Sequence, residues 1–333
     1  MKRPTVAVTM GDPAGIGPEV VLGSLRSDEV YRRAIPVVIG SIEALRRCSE
    51  RVGGSAPYLL TVEGPEDAEG CRGRVEVLDV PTPGIELVEP GLVQGPAGIA
   101  ADAYIRRACE LASEERIDAI STAPISKESL RAAGIRGIGH TEILADYLHS
   151  PDPLTLFITG NMRIFFLSRH LSLRQAIEYI TEERVAAMIR RVDGAMRGFG
   201  FESPSIAVAA LNPHASDGGQ FGSEEAEIII PAVQKARGEG INVAGPIGAD
   251  SVFHQALDGR YDCVLSLYHD QGHIAAKTRD FFRTVTATLG LPVLRTSVDH
   301  GTGFDIAWQG KANAVSMEAA ILAAVEMLQR MAP

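Results

Sequence analysis

The sequence predicts an α/β protein of two compact lobes, built on mainly parallel sheets covered by helices. Three observations predict it. Short β-rich runs alternate with longer helical patterns, as in chains of strand–helix–strand units. The composition is aliphatic, with 45% hydrophobic but only 5% aromatic residues, which suits buried parallel strands. The 333 residues are enough for a substantial core and favour two lobes over one.

Taken in order, Thr5 to Met10 reads as a strand, and a Gly-rich turn leads into a helix starting near Pro18. Ile35 to Ile39 reads as the next strand. Turn residues cluster from Gly53 to Gly73, which is expected to be a surface loop. Ala97 to Glu115 is a helix feeding the strand Ile117 to Ser121. Further strands are expected at Leu154 to Thr159, Ile164 to Ser168, Ile206 to Leu211 and Cys263 to Tyr268. Helical patterns cover Leu173 to Arg197, Glu224 to Glu239 and Ser316 to Met331.

Charge and cysteine usage exclude several function classes. The net charge is −10 and no strongly basic stretch occurs, so no nucleic-acid partner is expected. The cysteines Cys48, Cys71, Cys109 and Cys263 form no CxxC pair, so reduced thiols are expected, not a disulfide framework or a cysteine zinc site. The N-terminus lacks the apolar segment of a signal peptide, and no apolar run is long enough for a bilayer. A cytoplasmic enzyme or binding protein, with no membrane partner, is the expectation.

Three histidines share one placement. His170, His214 and His269 each follow an apolar strand and precede a polar or Gly-rich loop. Ligands of open parallel sheets bind beyond the carboxyl ends of the strands. Three converging neutral imidazoles would suit Zn²⁺ or a similar divalent ion and leave positions open for substrate oxygen. Three unrelated loop histidines would read the same way, so the alternative stays open.

Three Gly-rich segments stand out. Gly11-Asp-Pro-Ala-Gly-Ile-Gly-Pro-Glu19 joins the first strand to its helix, but its spacing is not GxGxxG, and a purely structural turn is one reading. Asn212 to Glu225 is a long polar loop before a helix and is suited to wrapping a ligand. In Arg295 to Ala307, Arg295 can hold a carboxylate or phosphate bidentately or form a plain ion pair.

Together, MGDPAGIGPEV, STAPISK, GHTE, LNPHASDGGQFGSEE, GPIGAD, YHDQGH and TLGLPVLRTSVDHGTGFDIA resemble the 4-hydroxythreonine-4-phosphate dehydrogenase family. They run in family order from residue 10 to residue 307. More distantly, GIGPEV and HGTGFDIA resemble the glycine turn and cofactor loop of isopropylmalate and isocitrate dehydrogenases. The resemblance implies a two-domain α/β/α fold of that kind with the active site in the interdomain cleft. Residues 1–125 and about 285–333 would form the first domain, and about 126–284 the second. It implies a homodimer with a shared active site.

The resemblance also implies roles. His170, His214 and His269 would bind one divalent metal ion, zinc first, with magnesium, manganese or cobalt as alternatives. A small anionic substrate would meet His140, Thr141, Lys277, Thr286 and Arg295. NAD or NADP would contact Asn212, Gly218 and Gly219, together with Asp299, His300, Gly301 and Thr302 of the cofactor loop 299–307. His140, Lys277, Asp250 and Asp270 are the acid/base or catalytic candidates. The implied reaction is metal-dependent oxidation of a secondary alcohol in a phosphorylated hydroxy acid, followed by decarboxylation.

One departure is Thr286, where better-known members carry Asn. A hydroxyl is shorter than an amide and offers fewer hydrogen bonds. Family branches acting on 4-phospho-threonate or erythronate, or on carboxylated cyclic dihydrodiols, are therefore alternatives. Outside the class stand a phosphate acyltransferase, which would not need three metal histidines, and a non-catalytic binding protein.

Overall fold

The computed structural model describes residues 2–53, 57–136 and 139–331. Its strands are β1 (Thr5–Thr9), β2 (Ile35–Gly40), β3 (Tyr58–Thr61), β4 (Arg74–Asp79), β5 (Ala119–Thr122) and β6 (Leu154–Thr159). They continue with β7 (Met162–Phe166), β8 (Ile206–Ala209), β9 (Val243–Ile247), β10 (Cys263–Ser266), β11 (Val285–Leu289) and β12 (Leu294–Val298). The helices are α1 (Gly17–Ser24), α2 (Asp28–Arg33), α3 (Ile42–Val52), α4 (Gly95–Ser113), α5 (Lys127–Ala132) and α6 (His140–Tyr147). After them come α7 (Leu173–Tyr179), α8 (Glu182–Gly198), α9 (Ile230–Gly238), α10 (Ala249–Leu257), α11 (His269–Arg279) and α12 (Val315–Met331).

The chain folds as two units. Unit 1 comprises Met1–Pro153 and Val285–Gln329, and unit 2 comprises Leu154–Thr284 with the last residues. The chain re-enters unit 1 at Val285. The first crossing lies later than the expected 125, because α5 and α6 pack on α4 and so stay in unit 1.

Unit 1 orders its strands β3-β4-β2-β1-β5-β12-β11. All neighbours are parallel except β11, which runs antiparallel to β12. β1, β2 and β5 are buried along nearly their whole length, with Val6, Val8, Val38 and Ile120 fully buried. Helices α4 and α12 add Tyr104, Ile105, Met317 and Ile321 to that core. Unit 2 orders its strands β6-β7-β10-β8-β9, with β6 antiparallel to β7 and the others parallel. Its core joins Phe157, Ile164, Ala207 and Val264 to Val252 and Phe253 of α10.

Several local expectations need correction. The run Leu173 to Arg197 is two helices. Ser172 caps α7 by accepting from the Gln175 amide, and Thr181 caps α8 by accepting from the Arg184 amide. The helix expected from Glu224 opens with a π turn at Glu225–Ile229 before α9. The loop expected from Gly53 to Gly73 contains the edge strand β3, parallel to β4. Among the described residues, no helix is long and apolar enough to cross a membrane.

Candidate active site

In unit 1 the site is built around a buried cation. Arg295 sits on β12 only 3% exposed. Register brings Thr288 of β11 opposite Arg295 and Thr122 of β5 opposite Ser297, so these side chains share a face. Arg295 donates to Thr122 Oγ1 from Nε at 3.2 Å and from Nη2 at 2.7 Å, and to Thr288 Oγ1 from Nη1 at 3.0 Å. Three of the five guanidinium N–H groups are thus spent on neutral hydroxyls, and two remain for an anion. Among the described residues Arg295 has no ion pair. Burial pushes its pKa down to about 9, with Glu142 opposing the shift.

His140 stands beside this cation as the first residue of α6. Burial, and then the Arg295 charge, hold its imidazole well below the ordinary histidine range, so it is neutral at physiological pH. The ring bonds the Ala123 carbonyl, and its buried Nε2 has no protein partner. Gly139 provides no side-chain cap, so the amides of His140 and Thr141 lack intrahelical acceptors. An unpaired guanidinium, a neutral imidazole and a helix start together form a receptor for an anion with protonatable oxygens. Thr286 is half-buried on β11, two residues from Thr288 and on the same face.

The Gly-rich turn packs between this strand-end region and the expected cofactor loop. Asp12 N donates to the Pro124 carbonyl at 2.9 Å, and Ile16 N to the Thr302 carbonyl at 2.8 Å. A Cβ on Gly15 would fall 2.8 Å from that same Thr302 oxygen, so close approach requires glycine here. In the loop itself, His300 Nδ1 donates to the Gly301 carbonyl at 3.0 Å, and its buried Nε2 has no protein partner. That orphaned nitrogen fits a loop that receives a polar ligand such as a nicotinamide dinucleotide. Asp299 and Thr302 are half-buried beside it.

Asp12, which sequence reasoning passed over, is fully buried in the turn. Its Oδ1 accepts from the Ala14 amide at 2.8 Å, yet burial outweighs the bonds it receives and raises its pKa to about 6. A raised carboxyl favours folding only while protonated. Its contribution is whole below the unfolded value of 3.8 and is lost as pH climbs through about 6. Asp12→Asn is therefore expected to be more stable than the wild type at pH 8, by on the order of 2 kcal/mol. The gap should close below about pH 4 in urea unfolding measured across pH. A gap that does not depend on pH would contradict the buried charge.

Unit 2 carries the three expected metal histidines. His170 follows β7, and His269 opens α11 directly after β10. Their ring centroids lie 6.0 Å apart, and both line a cavity of about 270 Å³ with Arg169, Leu171, Tyr268 and Asp270. Asp270 is exposed and accepts from His269 Nδ1 at 2.6 Å. A carboxylate only accepts, so Nδ1 carries a ring proton and Asp270 restrains the His269 ring from that side. His214 is exposed on a left-handed run, His214 to Asp217, with φ of 53°, 54°, 68° and 45°.

The expected convergence of all three rings is not reproduced. Among the described residues no group of three His, Cys, Asp or Glu side chains is placed to hold one metal ion. The reason is that His214 rides on the unusual backbone of its loop and not on the end of β8 itself. His170 and His269 alone bring two imidazoles near one another, fewer than the three protein ligands a catalytic ion ordinarily takes.

The remaining candidates are less concentrated. Both amide donors of Asn212 are taken by carboxylates, Glu224 Oε2 at 2.7 Å and Glu225 Oε2 at 2.8 Å, so this side chain ties its own loop to the following helix. Gly218 and Gly219 are exposed, at φ of 71° and 98°. Lys277 is half-buried on α11, with Nζ 5.1 Å from the Phe281 ring centroid. Asp250 stands exposed in the first turn of α10. Sequence reasoning also missed Thr122 and Thr288, whose roles depend on strand register, and His273, whose i+4 spacing from His269 was a legible signal.

Comparison with known proteins gives the class and then the family. A branched-chain phosphotransacylase from Enterococcus faecalis shares the fold at 10% identity, with a TM-score of 0.51 and 98% of each chain covered. A 4-hydroxythreonine-4-phosphate dehydrogenase from Klebsiella pneumoniae is far more similar. It has 41% identity and a TM-score of 0.90 over 98% of this chain and 100% of that one. Fold and sequence similarity thus place the chain among dehydrogenases of the 4-hydroxythreonine-4-phosphate dehydrogenase type. Proteins from Symbiobacterium thermophilum and Halalkalibacterium halodurans, each named "Putative D-threonate 4-phosphate dehydrogenase", are 51% and 50% identical over 96% of this chain, covering 95% and 96% of theirs. The family described as Pyridoxal phosphate biosynthetic protein PdxA matches residues 32–324, and the chain belongs to that family.

Proposed function

We propose that the protein oxidises the secondary hydroxyl of a four-carbon phosphorylated hydroxy acid, with D-threonate 4-phosphate preferred over 4-hydroxythreonine-4-phosphate. The observation that carries this reading is Arg295, a buried guanidinium with two uncommitted N–H groups and no ion pair among the described residues. Such a group is held at a cost unless an anion completes it. The substrate choice draws support from relatives at 51% and 50% identity named for D-threonate 4-phosphate.

The residues act as follows. Arg295 takes two phosphate oxygens, and the Thr122 and Thr288 hydroxyls fix the plane of its fork. The α6 amides at His140 and Thr141 add donors, and the neutral His140 ring accepts a proton-bearing oxygen. Lys277 holds the carboxylate end as a point charge. His170, His214 and His269 would hold a divalent ion if their rings converged, and the ion would supply Lewis-acid chemistry to the substrate hydroxyl; Asp270 accepts from His269 Nδ1. The loop from Asp299 to Thr302 would hold NAD or NADP, which would supply the hydride acceptor. Asp250 is kept as a reserve acid/base group. Oxidation at the carbon β to the carboxylate gives a β-keto acid, which loses carbon dioxide to leave a three-carbon keto phosphate.

A homodimer in the cytoplasm is part of the proposal. Unit 2 exposes Leu173 and Ile177 on one face of α7, together with Ile274, Phe281 and Phe282, apolar side chains that a second copy would cover.

The direct test is a panel of 4-phospho-D-threonate, 4-phospho-D-erythronate and 4-hydroxythreonine-4-phosphate with NAD and NADP, with and without divalent metal. Reduced nicotinamide should form with the first substrate, only in the presence of metal. No turnover with any of the three would reject the reading. Thr286→Asn is expected to shift the kcat/KM ratio toward 4-hydroxythreonine-4-phosphate by about tenfold, since an amide reaches further and a buried unpaired partner costs roughly 1–3 kcal/mol. An unchanged ratio would leave Thr286 without a role in selection.

A further inference from the structure

The segment from Thr122 to Lys127 touches every part of the unit 1 anion receptor. Thr122 Oγ1 accepts from the Arg295 guanidinium at 2.7 Å. One residue on, the Ala123 carbonyl bonds the His140 ring. Ser126 then caps α5 by accepting from the Ser129 amide at 3.1 Å. Lys127 follows as the first residue of α5, and its stem runs along the start of α6, with Cε 3.8 Å from where a Cβ on Gly139 would stand. The same point lies 3.3 Å from Glu142 Oε2. Helix α5 is seated hard on α4, since a Cβ on Gly98 would run into the Ser129 carbonyl. The base of Lys127 is therefore fixed, while the residue is exposed and makes no ion pair among the described residues.

Charge separates two kinds of anion at this place. A phosphate monoester carries about −1.5 to −2 at neutral pH, whereas a carboxylate or a sulfate ester carries a single charge. Arg295 brings one positive charge and His140 none. Glu142 takes one away, because its carboxylate acts on Arg295 and reaches back over the helix start. The amides of His140 and Thr141 and the orphaned His140 Nε2 add hydrogen bonding but no net charge. Without Lys127 these groups come close to neutral, and a dianion would be left uncompensated. An ammonium on a flexible four-carbon stem is suited to meet an anion that arrives from solvent.

We propose that Lys127 is a specificity-determining residue: its ammonium supplies the second positive charge at the α6 start and makes the receptor select a phosphate dianion over a carboxylate or sulfate ester. This rests on the reading of Arg295 and α6 as the phosphate receptor. Coulomb attraction is proportional to the ligand's charge, so the factor that Lys127 contributes for a monoanion is squared for a dianion.

The test uses the full chain and two small anions of like shape, methyl phosphate and methyl sulfate, at about pH 7.5, where a phosphate monoester is a dianion. Affinities come from the rise in unfolding temperature with anion concentration. Lys127→Gln and Lys127→Met are expected to weaken methyl phosphate about tenfold and methyl sulfate only about threefold. Lys127→Arg keeps the charge and is expected to retain the wild-type preference. Equal losses for both anions in the Gln and Met variants would assign Lys127 to holding α6 in place and overturn the inference. Wild-type affinities in those variants, with methyl phosphate still lost in Arg295→Met, would overturn it and leave the Arg295 reading standing. A wild type that responds to methyl phosphate no more than Arg295→Met does would remove the receptor reading and this inference with it.

Discussion

Replacing Arg295 with Met is expected to lower kcat/KM for the phosphorylated substrate by roughly 10²–10⁴, while leaving the folded state at least as stable. The first effect follows from two charge-assisted hydrogen bonds to the anion, each worth about 1.5–3 kcal/mol. The second follows from burial. The guanidinium is taken out of water with only threonine hydroxyls for company, and its pKa falls from 12.5 to about 9. A lowered cationic pKa means that the charged form costs folding free energy at neutral pH. Removing the charge lifts that cost, because an unpaired buried ion is often outperformed by an apolar residue of similar volume. Arg295→Lys should keep the charge but lose the fork, raising KM by about tenfold or more. The measurements are kcat/KM with the phosphorylated and dephosphorylated substrate, and the rise in unfolding temperature that inorganic phosphate confers. A Met variant still stabilised by phosphate as the wild type is would place the anion site elsewhere.

His269→Ala and His214→Ala are expected to abolish stoichiometric divalent ion and to reduce turnover by about 10³-fold or more, because two protein ligands bind a catalytic ion far more weakly than three. The two variants should differ in stability. His214 is exposed on its loop, so its loss should leave unfolding unchanged, whereas His269→Ala also removes a ring stacked on His273. Metal content after gel filtration, circular dichroism and turnover check this. Full metal occupancy in both variants would show that the ligand set is wrong.

The legible parts of the fold were those written in one stretch of chain. β1, β2 and β6 announce themselves as short β-rich runs, and the structure finds them within a residue of the expected ends. The break between α7 and α8 was also local, in the caps Ser172 and Thr181, but an unbroken helical period masked it. β3 was hidden because a short edge strand with exposed ends, Tyr58 to Thr61, looks like a loop.

The site divides along the same line. His170 and His269 stood out in the sequence because each follows its own strand, and Arg295 because a guanidinium heading a Gly-rich segment can hold a carboxylate or phosphate. The partners that hold Arg295 were not found. Thr122 lies 173 residues away from it, and only the β5–β12–β11 register brings their side chains together. Asp12 was overlooked because a charged residue in a Gly-Pro turn normally faces water, and here the turn is buried.

The chain order of unit 1 has a consequence for how the protein is made. Its sheet is completed by β12, inserted between β5 and β11, and β12 is among the last segments to leave the ribosome. At about 5–20 residues per second, β5 waits on the order of ten seconds for its neighbour, while the whole of unit 2 is synthesised in the interval. The histidine-bearing unit can therefore fold during translation, but the anion receptor cannot exist until near the end of it. A nascent chain would thus present its unit 2 histidines before the Arg295 cluster is assembled.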